Sequence, residues 1–410
     1  MKTKILISCI VLSLIFSCQT VNDNSGEPSI KITTNEISIA YNANTFGLKL
    51  FREISRNSPD SNVIISPLSV AIPLAMAYNG ANGATKDSMR KVLDFENYND
   101  EEINIAFKNL LDYFSNLDTE TIIKIANSIW KHIPVPILQS FVNLCQEYYH
   151  AEYREIDFND PNSLDSINNW IYENTHGTIK NALDRIPPLA VLYLINTLYY
   201  KGIWKYEFDE SNTKPGYFFS INNKAIKCKM MSQKNKFPIN LTDQYTAISL
   251  PYNDEKFYMI IILPDCSTDI NTFSENFTIE KWNEIINNLE IPEDSVLLKM
   301  PRMKLEYNSL LNDALKNLGM GICFDFYKAD FTKIFGKTGY WISRVIHNTF
   351  IEVNEQGTEA SASTIVEFYR LGEEKLIYIN VDRPFIFAIY EKLTGAILFI
   401  GKVIEIPEET

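Results

Sequence analysis

The sequence predicts an α+β fold in a single large domain, and three observations predict it. Hydrophobic residues make up 46% of the 410 positions, which is ample for a large buried core. Candidate strands and helices alternate irregularly and without a repeat, which favours the α+β class. No low-complexity linker divides Asn35 from Thr410, so one domain is favoured over the roughly two to three that length alone allows.

Helical periodicity and capping signals predict the helices. The residues from Asn42 to Arg56 form an amphipathic pattern of helical spacing. Ser66 followed by Pro67 has the form of an N-cap with proline at the first helical position. The next residues, Leu68 to Tyr78, are apolar nearly all round, so we expect this helix to be buried. Further helices are predicted over Thr85 to Leu93, Asp100 to Phe114 and Leu164 to Ile179.

Apolar runs predict the strands. The near-continuous run from Ala190 to Tyr200 is typical of a central strand. Its one amide, Asn196, is conspicuous in such surroundings. The other candidate strands are Asn62 to Ile65, Thr121 to Trp130, Tyr245 to Leu250, Phe257 to Leu263, Val296 to Met303, Thr349 to Val353, Lys375 to Val381, Phe385 to Tyr390 and Ala396 to Val403.

Charge and motif content exclude several function classes. The 38 basic and 51 acidic residues give a net charge of −13 without any long basic block, so nucleic acid is not expected as a partner. The four histidines lie far apart in sequence, so we expect no metal site. The sequence has no GxSxG, HExxH, P-loop or dinucleotide motif. We therefore expect neither an enzyme nor a cofactor.

The first 34 residues have the form of an export signal and a tether. Lys2 and Lys4 precede a short apolar run that ends near Cys18. The exit resembles the lipobox of bacterial lipoproteins, so residues 1–17 are expected to be removed and Cys18 acylated, with ordinary secretory cleavage nearby as the alternative. Residues 18–34 would then be a flexible, lipid-anchored tether before a domain over 35–410. We expect the outer membrane or cell surface, otherwise a secreted or periplasmic protein, and membrane contact only through the lipid.

The remaining cysteines follow no metal or redox spacing. Cys145 and Cys323 lie in apolar stretches of sequence. An exported compartment permits disulfides. A buried free thiol is nevertheless the favoured interpretation of both residues.

One connection is longer than a compact domain needs. About twenty residues separate the candidate strands ending at Val353 and starting at Lys375, and such loops are usually functional or disordered. Every second residue from Thr358 is small or apolar, whereas the intervening positions carry both acids. This is the pattern of a strand with one buried and one solvated face. A mobile surface loop is the alternative interpretation of the same residues. The small or apolar positions are Thr358, Ala360, Ala362, Thr364, Val366 and Phe368.

Five segments of the chain carry a family resemblance: Asn62 to Thr85, Leu194 to Phe208, Met300 to Leu305, His347 to Thr364 and Asp382 to Val403. Together they resemble the serpin family, serine protease inhibitors, and specifically its bacterial exported or lipoprotein type. The resemblance extends from about Asn42 to Pro407. It implies a fold of three β-sheets and eight to nine helices with an exposed reactive-centre loop.

The resemblance implies a monomeric suicide inhibitor of serine endopeptidases, with cysteine endopeptidases as a second target class. The protease would cut the loop and, while still bound as an acyl-enzyme, be trapped when the loop inserts as a new strand in the main sheet. The uncharged alternate positions from Thr358 fit such an insertion. The alternative is a non-inhibitory binding or chaperone-like protein of the same fold, whose loop is only a substrate.

The resemblance also implies the site residues. The loop hinge is Glu355, Gly357, Thr358, Ala360, Ser361, Ala362, Ser363 and Thr364. A polar cluster beneath the main sheet is Ser66, Ser69, Asn196 and His347. A second cluster, at the top of that sheet, is Arg302, Glu355 and Trp204.

The family's loop length places the reactive bond at Leu371-Gly372, with Arg370-Leu371 as the alternative. Leu371 would suit chymotrypsin-like, elastase-like or subtilisin-like endopeptidases. Arg370 would suit trypsin-like or papain-like ones. Because Leu371 and Arg370 are adjacent and differ in chemistry, we expect a broad specificity for target endopeptidases.

Overall fold

The computed structural model describes residues 31–117, 120–358 and 375–408. From Ile32 the chain forms one compact unit. The export signal, Cys18 and most of the tether lie outside the described residues. Within the described ranges, no helix has the length and apolar character that a membrane span requires.

The helices begin where the sequence supplies caps. The first helix starts eight residues before the predicted Asn42, because Thr33 and Glu36 form a capping box. The second helix starts after the N-cap Ser66 and is buried along nearly its whole surface, as predicted. The helices are α1 (Thr34–Asn57), α2 (Pro67–Gly80), α3 (Gly83–Val92), α4 (Asp100–Ser115), α5 (Gln139–Tyr149), α6 (Ser163–Asn174), α7 (Ile270–Glu275), α8 (Ile279–Asn287), α9 (Asn312–Leu315) and α10 (Thr332–Phe335).

Sixteen strands lie within the described residues. They are β1 (Val63–Ile65), β2 (Ile122–His132), β3 (Ala151–Ile156), β4 (Leu192–Ile203), β5 (Lys214–Phe219), β6 (Ala225–Asn235), β7 (Ile239–Leu241), β8 (Tyr245–Pro251), β9 (Phe257–Pro264), β10 (Ser295–Pro301), β11 (Met303–Leu310), β12 (Ile346–Val353), β13 (Gly357–Thr358), β14 (Leu376–Asn380), β15 (Phe385–Glu391) and β16 (Ile397–Val403). The single strand predicted over Val296 to Met303 is therefore divided at Arg302 into β10 and β11.

In two of the sheets, each strand is hydrogen-bonded to the next from one edge to the other. The six-stranded sheet has the order β1-β16-β15-β9-β8-β7, and its central strands β15 and β16 are almost entirely buried. A four-stranded sheet has the order β14-β10-β6-β5. Most large buried side chains belong to one continuous core that joins these sheets to α1 and α2.

The main sheet is divided into two halves. In one half, β2 pairs with β3 and with β4, whereas in the other half β11 pairs with β12. Within the described residues, β4 and β12 share no ladder. The free edge of β4 is paired only at one end, by the two residues of β13. The three expected sheets are therefore present with the main one open along its middle.

The structure corrects one local prediction and confirms another. The helix predicted to reach Ile179 ends at Asn174, because His176 and Gly177 have positive φ values of 48° and 83° that stop a right-handed helix. Cys145 and Cys323 are free and buried, which confirms the prediction for both. Burial raises the pKa of the Cys323 thiol to about 12, so this group is an unreactive thiol at neutral pH.

Candidate functional site at the open main sheet

The predicted loop begins in a turn that the protein fixes tightly. The Asn354 side-chain oxygen accepts hydrogen bonds from the backbone N–H groups of Gln356 and Gly357, at 3.1 and 3.2 Å. The Trp204 indole N–H donates to the Asn354 carbonyl at 3.0 Å, and the Trp204 backbone N–H donates to the Gln356 carbonyl at 2.9 Å. The Trp204 ring in turn stacks on Tyr252 at a centroid distance of 4.6 Å. The root of the loop is therefore rigidly placed.

A buried ion pair holds the same turn. The Arg302 Nε–H group lies 2.7 Å from both carboxylate oxygens of Glu355, whose side chain is only 3% exposed. The Thr213 hydroxyl donates to the Glu355 carboxylate at 2.6 Å, and the Phe208 N–H donates to the Glu355 carbonyl at 2.7 Å. With its partners present, the buried carboxylate is compensated; without Arg302 it would be an unpaired buried charge.

The two residues after this turn already occupy the main sheet. Gly357 lies opposite Ile203 and Thr358 lies opposite Gly202 in an antiparallel ladder. A Cβ atom at Gly357 would lie 2.1 Å from the Gly202 carbonyl oxygen, so only glycine permits this approach. Thr358 is buried, and its hydroxyl lies 2.9 Å from that of Tyr252. Thr358 therefore points into the core.

A slot continues from Thr358 between the two halves of the main sheet. We call the slot the space bounded by residues 191–198 on the β4 side and residues 342–348 on the β12 side; it has a volume of about 660 Å³. Directly below Thr358, a smaller cavity is lined by Tyr200 of β4 and Ile351 of β12. Helix α2 forms the floor of the slot, with Val70 and Leu74. The slot has the position and direction of one missing strand.

A network of hydrogen bonds beneath the slot joins its two edges. The Ser66 backbone N–H donates to His347 Nε2 at 3.0 Å, the Ser69 N–H donates to Ser66 Oγ at 3.3 Å, and the Ser69 hydroxyl donates to the side-chain oxygen Oδ1 of Asn196. His347 is on β12 and Asn196 is on β4, so the start of α2 connects the strands that flank the slot. The structure thus brings together all four residues of the expected polar cluster.

His347 acts here as a neutral acceptor. Its side chain is buried, and this burial lowers its pKa to about 4. Because Nε2 accepts the Ser66 N–H, the proton of the neutral ring belongs on Nδ1. Protonation of Nε2 would place two donors face to face. The network therefore requires the neutral ring.

The network extends beyond the residues that sequence reasoning found. Asn196 Nδ2 donates to Asn127 Oδ1 at 2.8 Å, and Asn127 Nδ2 donates to the Tyr149 carbonyl at 2.7 Å. Asn127 lies opposite Asn196 in the β2–β4 ladder. An available signal was overlooked, because Asn127 is an amide in an apolar strand in the same way as Asn196.

The connection between α6 and β4, residues 175–191, runs along the slot and also lines the small cavity at Thr358. The Leu183 backbone exchanges two hydrogen bonds with the Asn168 side chain of α6, at 2.9 and 3.0 Å. The same connection is bound to the β12 side by an ion pair of 2.9 Å between Asp184 and Arg344. This connection therefore links α6 to the β12 side of the slot.

Several predicted site residues lie outside the described residues. They are the hinge residues Ala360, Ser361, Ala362, Ser363 and Thr364, the candidate baits Arg370, Leu371 and Gly372, and the candidate lipidation site Cys18. The described site therefore consists of the loop root, the slot and the network below it.

Comparison with known proteins identifies this arrangement. The family model for serpins, serine protease inhibitors, matches residues 41–406. The chain is 34% identical to Serpin B8 of Homo sapiens over 364 residues, 87% of this chain and 96% of that protein. It is 33% identical to the leukocyte elastase inhibitor of Homo sapiens, over 88% of this chain and 97% of that protein.

A solved structure has a similar fold. The crystal structure of a thermophilic serpin, Tengpin, in the native state matches this chain with a TM-score of 0.82 and 30% sequence identity. The match covers 92% of this chain and 95% of the Tengpin chain. The family-model match over residues 41–406 includes the main sheet, the loop root and both site clusters described above. The chain therefore belongs to the serpin family.

Proposed function

We propose that this protein is a suicide inhibitor of serine endopeptidases, with cysteine endopeptidases as a second target class. The observation that carries the proposal is the open main sheet, in which the first two residues of the hinge already pair with β4 and an empty slot continues in line with them. Most members of the family are protease inhibitors and act without catalysis, which supports the same reading. The cleaved loop would fill the slot as a strand.

The observed ladder supplies a register for that strand. If the pairing of Thr358 with Gly202 continues, Ala360, Ala362 and Thr364 would face Tyr200, Leu198 and Asn196 in turn. These are the small, uncharged alternate residues of the sequence, and Thr364 would lie beside the polar network. Side chains of this size and polarity can be buried there without leaving a charge unpaired.

The energy for trapping a protease would come from closing the sheet. The open edges of β4 and β12 present backbone groups that a strand would pair on both sides. The covalently attached protease would be carried along with the inserting loop and deformed. The connection over residues 175–191 runs along the slot, so it would have to shift during insertion, at the cost of the Asp184–Arg344 pair.

The test is to mix the protein with chymotrypsin and, separately, with trypsin, and to analyse the products on denaturing gels and by mass. An adduct together with a 39-residue peptide beginning at Gly372 would establish inhibition with Leu371 as the bait. A peptide beginning at Leu371 would transfer the bait to Arg370. Cleavage without an adduct, for every protease tried, would support the non-inhibitory alternative.

We further propose that the protein is exported and anchored through Cys18 at the outer membrane or cell surface, where its loop would meet proteases. The support is the sequence of the first 18 residues. Labelled palmitate supplied to cells that express the protein should be incorporated into it, and Cys18→Ala should abolish the label. Equal labelling of both proteins would refute lipid attachment at this residue.

A further inference from the structure

Exposed apolar side chains gather beside the slot. Tyr327 is 90% exposed, Leu189 78% and Phe326 49%. The Phe326 ring contacts the Tyr327 and Trp341 rings edge-on, at centroid distances of 4.9 and 4.8 Å. Contiguous exposed apolar side chains of this kind mark contact surfaces. We call the cluster the aromatic patch, and its members are Leu189, Phe326, Tyr327, Tyr340 and Trp341. All of them except Tyr327 also line the slot cavity.

The aromatic patch lies at the end of the main sheet opposite the loop root. Strand β4 starts three residues after Leu189. It meets the loop root ten residues later, where Gly202 pairs with Thr358. Ten residues of strand span about 33 Å. On the other side of the slot, β12 begins five residues after Trp341 and ends directly before the loop root.

The start of α1 lies at the same end of the domain as the patch. Asn35, in the first turn of α1, donates to the Glu102 carbonyl in the first turn of α4 at 3.2 Å. Asp100, in the same turn of α4, forms ion pairs with a lysine and an arginine of α3. The Thr85 hydroxyl of α3 accepts the backbone N–H of Asp330 at 2.9 Å, three residues beyond the patch. A short series of direct contacts therefore joins the start of α1 to the aromatic patch.

The proposed anchor would keep this end of the domain close to a bilayer. Fifteen residues separate Cys18 from Thr33, so a fully extended tether spans at most about 54 Å. Tryptophan and tyrosine rings favour the interface between bilayer and water, because they combine an apolar ring with a polar group. The Lys337 ammonium lies 5.9 Å from the Tyr340 ring centroid, and lysines commonly accompany such rings at the bilayer surface. A lipid surface therefore fits both the position and the chemistry of the patch.

We infer that the aromatic patch is a membrane-contact surface, which rests on the bilayer that carries the acyl chain and turns the loop root away from it. This inference rests on the proposed lipid anchor and deepens it. The sequence led us to expect membrane contact only through the lipid, and the patch adds a contact by the protein itself. Strand insertion in the proposed register would bring Leu371 level with Leu189, so a trapped endopeptidase would displace the bilayer from the patch.

The test uses Trp341 as a built-in reporter. The other four tryptophans of the chain are buried, whereas Trp341 is partly exposed. The acylated full-length protein is incorporated into phosphatidylcholine vesicles, with and without bromine on one acyl chain near the headgroup. Bromine quenches tryptophan emission only at contact, so the emission should fall by up to one part in five, the share of one tryptophan among five. Trp341→Phe keeps an aromatic ring in the patch but should remove this loss.

A second variant removes the contact and keeps the reporter. Leu189→Asp with Tyr327→Asp changes two highly exposed side chains, and it should abolish the quenching of Trp341 without releasing the protein from the vesicles. The matched control is Ile291→Asp with Tyr378→Asp, two side chains outside the patch that are 66% and 71% exposed. The control should be quenched as the parent is. Thermal unfolding of each variant verifies that it is folded.

The outcomes separate this inference from the proposed anchor. Flotation of the protein with the vesicles, without any quenching of Trp341, would leave the anchor in place and overturn the membrane contact. Quenching that persists in Trp341→Phe, or is lost equally in both double variants, would also overturn it. A protein that carries no acyl chain and does not float would overturn the anchor and the inference together. Dimers of the Cys18→Ala protein that the Leu189→Asp, Tyr327→Asp changes abolish, with no quenching in the acylated protein, would assign the patch to a second copy of the chain, and the inference would be wrong.

Discussion

The six-stranded sheet and the main sheet show how differently one chain completes its backbone pairing. In the six-stranded sheet, β15 is paired along both edges, with β16 and β9, and is buried. In the described part of the main sheet, β4 and β12 each have one edge paired along its length. The slot lies between their other edges, and that of β4 is paired only at β13. The six-stranded sheet therefore has no gap between its strands, whereas the main sheet has space for one more strand.

The incomplete sheet also contains polar groups without partners. Among the residues that the structure describes, the buried hydroxyls of Tyr193 and Thr197, both on β4, have no hydrogen-bond partner. Each such group typically costs about 1–3 kcal/mol. Unpaired strand edges and unsatisfied hydroxyls therefore concentrate in the region where the loop would insert. Under the proposed function, the free energy that drives insertion would be stored locally, in the main sheet.

The largest expected effect comes from preventing the main sheet from closing. Ala362→Glu should abolish inhibition, because the proposed register would bury its carboxylate opposite Leu198 without a partner, at a cost of several kcal/mol. The loop should still be cut, so the variant should behave as a substrate. The stoichiometry of inhibition and the yield of covalent adduct measure this change.

Ser363→Glu is the matched control for that substitution. It introduces the same charge one residue later, on the face that alternation places toward solvent. It should remain an inhibitor. If the two variants inhibit equally well, or fail equally, strand insertion with this alternation is refuted.

Closing the sheet should stabilise the protein as a whole. Cleavage within the loop should raise the melting temperature by roughly 10 °C or more, since about ten new ladder hydrogen bonds at a net ~1 kcal/mol each would form. Scanning calorimetry of the intact and cleaved forms gives the difference. A cleaved form that melts no higher than the intact one would show that the slot does not accept the strand.

The network beneath the slot should make stability depend on pH. His347 has a pKa of about 4 in the folded protein, whereas its ordinary value is 6.5. Between these values the unfolded chain binds the proton and the folded one does not, so stability should fall as the pH falls from 6.5 towards 4. The integrated loss is about 3 kcal/mol, with no further loss from this group below pH 4.

His347→Gln isolates that contribution. Glutamine does not titrate, and its side-chain oxygen can accept the Ser66 N–H in place of Nε2. Denaturant unfolding of both proteins from pH 7 to 4 should give a steeper loss for the parent, because the carboxylates contribute equally to both. Parallel curves would exclude a buried neutral histidine at this position.

The sequence predicted those features that depend on short-range signals. Ser66 and Pro67 marked the start of α2, and Asn196 marked the polar cluster. Strand β6 was missed because lysines interrupt its apolar residues, and Asn127 was not recognised. The opening between β4 and β12 could not be predicted, because it depends on which distant strands leave an edge unpaired.

The smallest expected effect tests the register of the inserted strand. Extension of the observed ladder places Thr364 opposite Asn196, where its hydroxyl could join the network. Thr364→Val should therefore lower the free energy of unfolding of the cleaved form by about 1 kcal/mol and leave that of the intact form unchanged. Ile365→Val, on the opposite face, is the control for loop substitutions. A Thr364→Val loss of equal size in both forms, or in neither, would mean that the strand inserts in another register or that Thr364 never reaches the network.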